Sequence, residues 1–136
     1  MKRLAYIAIM FAIACAAAFA ENQTLLAKIA VTTSIDANKQ PHVTGNFELF
    51  NTGISVINPA ITSSLIVVDG EPLPDSASIL GNGPRDNGFE TLLPDHKLTL
   101  SYQLDKYFKA PGKHTLMWKG RRFQSNVAVV DISKSK

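Results

Sequence analysis

The sequence predicts an all-β fold, an antiparallel sandwich of about seven short strands in one domain. Three observations point there. No stretch of roughly ten residues or more keeps the 3.6-residue apolar period of an amphipathic helix. Several runs instead alternate apolar and polar residues, the period of a half-buried strand. Gly, Pro, Asn and Asp recur between those runs, where hairpin turns would need them.

Residues 25–33 set Leu25, Ala27, Ile29 and Val31 on one face, a first strand, and 36–41 is a polar turn cluster. Residues 43–50 turn Phe47 and Leu49 to one side, and Asn51-Thr52-Gly53 ends the run. Residues 64–68 are a short β-branched run closed by Asp69-Gly70, a strong turn pair. Residues 97–104 set Leu98, Leu100, Tyr102 and Leu104 against Thr99, Ser101 and Gln103, the clearest half-buried strand. After the Pro111-Gly112 turn, 114–119 alternates His114, Leu116 and Trp118 with Thr115, Met117 and Lys119. Lys119-Gly120-Arg121-Arg122 suits the next turn, and 123–132 is a last strand, with Ala128, Val130 and Ile132 opposite Val127 and Val129. Leu98, Leu100, Tyr102, Leu116 and Trp118 are expected in the core on two neighbouring strands, with Tyr107 and Phe108 anchoring the corner between them. Residues 72–94 are the exception: rich in Pro, Gly, Asn and Asp, with Ile79-Leu80 as a possible short strand and a helical turn near Phe89. Irregular stretches of this length in a small domain are often functional.

The chain has 136 residues, 46% hydrophobic and 18% charged, which excludes a disordered chain, a coiled coil and a multi-span membrane protein. Its first twenty residues stand apart. Met1-Lys2-Arg3 is positive, 4–14 is apolar, and Ala18-Phe19-Ala20 puts small residues where a signal peptidase reads them, before Glu21. The expectation is a signal peptide over 1–20 and a single mature domain over 21–136, secreted or periplasmic. Two readings compete. One is a retained anchor. The other is a lipoprotein anchored at Cys15, which follows Ala12-Ile13-Ala14, although Ala12 stands where a larger aliphatic is usual. The formal net charge is +3, but Lys2 and Arg3 belong to the leader, leaving 12 basic against 11 acidic residues. Cys15 is the sole cysteine. A mature chain from Glu21 therefore has no disulfides and no thiol, Cys-ligated zinc or iron–sulfur chemistry. No later segment is apolar enough to span a bilayer; 54–68 comes closest, broken by Pro59 and Thr62-Ser63-Ser64.

Leu98-Thr99-Leu100-Ser101-Tyr102-Gln103-Leu104-Asp105-Lys106-Tyr107-Phe108, then Pro111-Gly112, then a strand ending in Trp118, resembles the strand–corner–strand segment of exported bacterial immunoglobulin-like domains. There a loop aromatic packs across the corner and Pro-Gly turns the chain. The likeness covers about 44–130 and implies an immunoglobulin-like sandwich; it brings no catalytic residues with it. The chain departs from antibody domains in lacking a cysteine pair, and has His114 where an aromatic commonly starts the strand.

Residue chemistry favours binding over catalysis. There is no Gly-x-Ser-x-Gly, and Asp95 and His96, adjacent on an extended chain, point apart. His114 and Met117 lie on opposite faces of a strand and cannot share a metal; His42 and His96 are expected in exposed loops. Asp69, Glu71, Asp75, Asp86 and Glu90 share the loop-rich half without calcium-loop spacing. Lys113, Lys119, Arg121 and Arg122 read as a solvated hairpin tip, so no nucleic acid is expected. Trp118 reads as core, with ligand stacking as the alternative. The expectation is thus a non-catalytic binding or accessory module, without cofactor, contacting an envelope or extracellular protein through residues 69–90. Arg85, Asp86 and Glu90 are the candidate contacts: the Arg85 fork suits a partner's carboxylate or phosphate, or it ties the loop to Asp86 or Glu90. The alternatives are a small hydrolase or protease inhibitor acting through the same loop, and a periplasmic metal carrier.

Overall fold

The computed structural model describes residues 24–83 and 86–132. The expected signal peptide over 1–20, Cys15 and the cleavage site before Glu21 lie outside the described residues, as does Arg85.

Seven strands form two antiparallel sheets: β1 (Leu25–Ile35), β2 (Pro41–Asn51), β3 (Leu65–Val68), β4 (Glu71–Pro72), β5 (Lys97–Gln103), β6 (Gly112–Lys119) and β7 (Ala128–Ile132). The three-stranded sheet runs β1-β2-β5 and the four-stranded sheet β4-β3-β6-β7. No helix among the described residues is long and apolar enough to cross a membrane.

The turns form where their chemistry dictates. Asp36 closes the β1–β2 turn by accepting from the backbone N–H groups of Asn38 (2.8 Å) and Gln40 (2.9 Å), a local mimic of a backbone turn. Asp69 and Gly70 both take positive φ, 51° and 80°, as the tight β3–β4 hairpin requires. Gly120 turns the chain after β6: its N–H donates to Phe123 O, and a Cβ there would lie 2.3 Å from the Phe123 ring.

The alternation read from the sequence is the burial seen. Leu25, Ala27 and Ile29 of β1, Val43, Phe47 and Leu49 of β2, and Leu98, Leu100 and Tyr102 of β5 are buried. They meet Ile66, Val68, Leu116, Trp118, Val130 and Ile132 of the second sheet in one core. Phe47 of β2 and Trp118 of β6 join the sheets edge-to-face at 5.2 Å. Trp118 also packs on Phe123 at 4.6 Å, and its indole N–H donates to the buried Ser64 hydroxyl (2.8 Å).

Three expectations need correcting. First, Leu98, Leu100 and Tyr102 do not neighbour Leu116 and Trp118 within one sheet; β5 and β6 belong to different sheets and face each other through the core. The 104–111 connection is a crossover, and Phe108, fully buried, plugs it. Second, Ile79-Leu80 is not a strand but part of helix α1 (Ser76–Gly81). The Ser76 hydroxyl donates to Leu73 O and accepts from Ile66 N–H, fixing the helix start against β3. Leu80 is fully buried and Ile79 packs against the core. Residues 72–94 therefore supply core side chains, Leu80, Phe89 and Leu92 among them. The helical turn near Phe89 is present, a 3-10 turn over Asn87–Phe89. Third, the last strand begins at Ala128, not Phe123, because Phe123 turns in onto Trp118 and Ser125 and Asn126 bond out of ladder phase.

Candidate functional site

Asn51, the last residue of β2, organises one end of the sandwich. Its side chain is fully buried. The amide donates to Ser55 O (2.8 Å) and Leu92 O (2.9 Å), and its oxygen accepts from Gly53 N–H (2.9 Å). Its backbone joins Asp95 and His96. One residue thus fixes the loop after β2 and clamps it to the segment before β5. Ile57 and Leu92 form an antiparallel bridge beside this knot, which sets Val56 next to Leu93.

The knot holds three apolar side chains out of the core. Ile54 is 97% exposed, Val56 53% and Leu93 43%. Scattered exposed aliphatics are ordinary on a protein surface; three on one ordered loop pair, one of them wholly in solvent, are not. A shallow depression adjoins them, lined by Asp86, Asn87, Phe89, Glu90, Thr91 and Leu93. Asp86, an exposed residue, accepts from Gly88 N–H (2.8 Å) and so caps the Asn87–Phe89 turn. Glu90 is exposed just after that turn. Among the described residues neither acid forms an ion pair. Leu93 is common to the tip and the depression, so Asp86 and Glu90 border one apolar–acidic surface.

Two of the three predicted contacts therefore fall together at this end, and the third lies outside the described residues. The rest of 69–90 is not a single loop: Asp69 and Gly70 make a hairpin turn and Ser76–Gly81 a packed helix. Ile54 and Val56 were missed because 54–68 reads as one apolar run. Gly53-Ile54-Ser55-Val56, apolar residues directly after a turn cluster, was the available signal.

The histidines stand apart from this surface. His42 is not a loop residue; it lies on β2, its Nδ1 2.8 Å from Asp105 and its Nε2 3.0 Å from Asp36. His96 borders the opposite end of that strand, roughly 30 Å away by strand rise. His114 Nδ1 lies 2.8 Å from Asp69 and its Nε2 2.7 Å from Ala110 O. Among the described residues no cluster of three metal-ligating side chains occurs. Lys113 pairs in register with Asp131 at the far end of β6 from Lys119, so the basic cluster is divided between two ends.

Each of these two rings faces an acceptor from both nitrogens, a geometry only the doubly protonated imidazolium satisfies. The hydrogen bond that His42 donates to Asp105, then the one to Asp36, raises its pKa above 6.5; those that His114 donates to Asp69, then to Ala110 O, do the same for His114. Asp36, Asp69 and Asp105 are held below 3.8, each chiefly by a hydrogen bond, from Gln40 N–H, His114 and Val43 N–H respectively. The raised histidines contribute stability that is complete below pH 6.5 and lost as pH rises through their folded values. The lowered carboxylates contribute above 3.8 and lose it as pH falls. The melting temperature should therefore be higher at about pH 5.5 than at about pH 8.5. That difference should shrink in a His42→Asn, His114→Asn double variant; an unchanged difference would remove the histidines from the account.

No family model matches the chain, and no curated protein matches it.

Proposed function

We propose that the chain is an exported, non-catalytic immunoglobulin-like domain that binds a protein of the cell envelope or extracellular space through the apolar tip Ile54, Val56 and Leu93 and its acidic border Asp86 and Glu90. The wholly exposed Ile54 on a loop tied by Asn51 carries this reading. An apolar side chain held in water by an ordered loop gains free energy only when something covers it. The strand partition supports the immunoglobulin-like class: first, second and fifth strands in one sheet, third, sixth and seventh in the other. Here the fourth strand joins the second sheet. Export is supported by the charged, apolar and Ala18-Phe19-Ala20 parts of the leader.

Covering Ile54 is worth about 1.5–3 kcal/mol, on the order of tenfold to a hundredfold in affinity. Ile54→Asp should abolish cross-linked capture of a stoichiometric partner from the native envelope fraction and leave the melting temperature unchanged. A surface variant at the opposite end of the sandwich, Lys113→Ala, should retain capture. Equal capture by all three chains would rule out the tip, and inhibition of a protease panel with no captured partner would favour an inhibitor acting through the same loop.

A further inference from the structure

In an antiparallel ladder the N–H and C=O of one residue point to the same side. Two bonds fix the parity of β5. Leu104 N–H donates to Val43 O at one end of the β2–β5 ladder, and Asn51 N–H donates to His96 O at the other. Even-numbered residues of β5 therefore bond to β2, and Lys97, Thr99, Ser101 and Gln103 aim their backbone groups away from the sheet. No backbone bond joins these four to any described residue outside the ladder, and all four are exposed.

The other edges of the two sheets are each interrupted at least once. Parity along β1 sends Ile29 outward, and the Asn126 side chain meets it as a neighbouring strand would. The Asn126 amide oxygen accepts from Ile29 N–H (2.9 Å), and its nitrogen donates to Ile29 O (3.0 Å). β7 lies alongside β1. β4 is two residues long and ends in Pro72, which has no N–H to offer. Among the described residues β5 has none of these devices: no proline, no clip, no inward charge, and a single lysine at its start, although the Asn87–Phe89 turn packs near its Leu98 end.

We infer that β5 is a dimer edge, pairing antiparallel with the β5 of a second copy about a two-fold axis at Leu100. This register sets Thr99 against Ser101 and Lys97 against Gln103 of the second copy, with no like charges opposed on the solvent face. It forms up to about eight main-chain hydrogen bonds and makes one six-stranded sheet of two three-stranded ones. Charge at the strand ends selects a second copy in this orientation. The start of β5 lies near the Asn87–Phe89 turn with exposed Asp86, Glu90 and Asp95, and its end leads to exposed Lys109 and to Lys106, whose ammonium lies 3.5 Å from Asp75. Asp105 at that end is already held by His42 and Val43 N–H. Antiparallel pairing brings the acidic end of each copy to the basic end of the other. Asp86 and Glu90 border the proposed partner surface as well, but the pairing itself rests on the β5 edge, so Ser101→Pro tests the dimer and Ile54→Asp tests partner capture separately.

Sedimentation equilibrium of the exported chain should show a dimer, and Ser101→Pro should weaken it by at least about a hundredfold, since the ring removes an outward N–H at the centre of the pairing. The Ser101 N–H plays no part in the β2 ladder, so the variant should keep its far-ultraviolet circular dichroism. A second measurement guards against misfolding of that variant. An equal mixture of Thr99→Cys and Ser101→Cys chains should oxidise to a mixed disulfide in preference to either self-pair, because the register places those two positions directly opposite. A monomer at concentrations up to about 1 mM, a dimer that tolerates Ser101→Pro while folded, or self-pairs formed as readily as the mixed pair would each overturn the inference.

Discussion

Trp118→Ala is expected to destabilise the domain by about 3–5 kcal/mol, enough to unfold much of a protein whose whole stability is typically about 5–15 kcal/mol. Trp118 is fully buried and central to the contact between the sheets. Phe47 approaches it from β2 and Phe123 from the β6–β7 turn, so truncation empties a space bounded on both sides by rings. Those rings cannot collapse into it without moving either the opposite sheet or the tight turn at Gly120. Ser64 loses the indole donor but keeps its own bond to Ile61 O, so the cavity dominates over an orphaned polar group. Trp118→Phe should retain most of the stability. Urea titration followed by circular dichroism measures both; an alanine variant with a wild-type midpoint would mean that the sheets do not meet at Trp118.

The features legible in the sequence were those set by period and by turn chemistry. Leu98, Leu100 and Tyr102 are buried because alternation forces one face of β5 inward. Asp69-Gly70 turns because both residues accept positive φ. What escaped was decided by partners distant in sequence. Nothing near Leu98 or Leu116 says whether their strands share a sheet; the crossover with Phe108 at its centre decides that. Ile79-Leu80 reads equally as strand or helix over so few residues, and Ser76, bonded to Leu73 and Ile66, tips it to helix. At the candidate site, Asp86 and Glu90 were legible as turn acids in a loop-rich segment. Ile54 was not, because its exposure depends on Asn51 reaching Leu92, forty-one positions along the chain. Asn51 itself looks like an ordinary strand terminator in sequence, since nothing local reveals that its amide is buried.

Asn51→Asp should be nearly as damaging as loss of Trp118, about 3–5 kcal/mol, with almost no change in side-chain volume. The amide nitrogen donates to two backbone carbonyls, Ser55 O and Leu92 O, at a site closed to water. A carboxylate there would aim a negative oxygen at both carbonyls; a protonated carboxyl could serve only one of them. Burial and the facing carbonyls raise the pKa of the introduced group in the folded state above its unfolded value of about 3.9. A raised acid weakens the fold as pH climbs past that unfolded value, so the gap to wild type should be smaller at about pH 4 than at about pH 7. Asn51→Ala removes the donors without adding charge, and its gap to wild type should not vary with pH. The same knot positions Ile54, so partner capture should fall in Asn51→Asp even at temperatures where the domain is still folded. Urea midpoints for both variants at the two pH values decide the matter. A pH-independent gap for Asn51→Asp would show that position 51 reaches water, and the loop would then lose the rigid support on which the apolar tip depends.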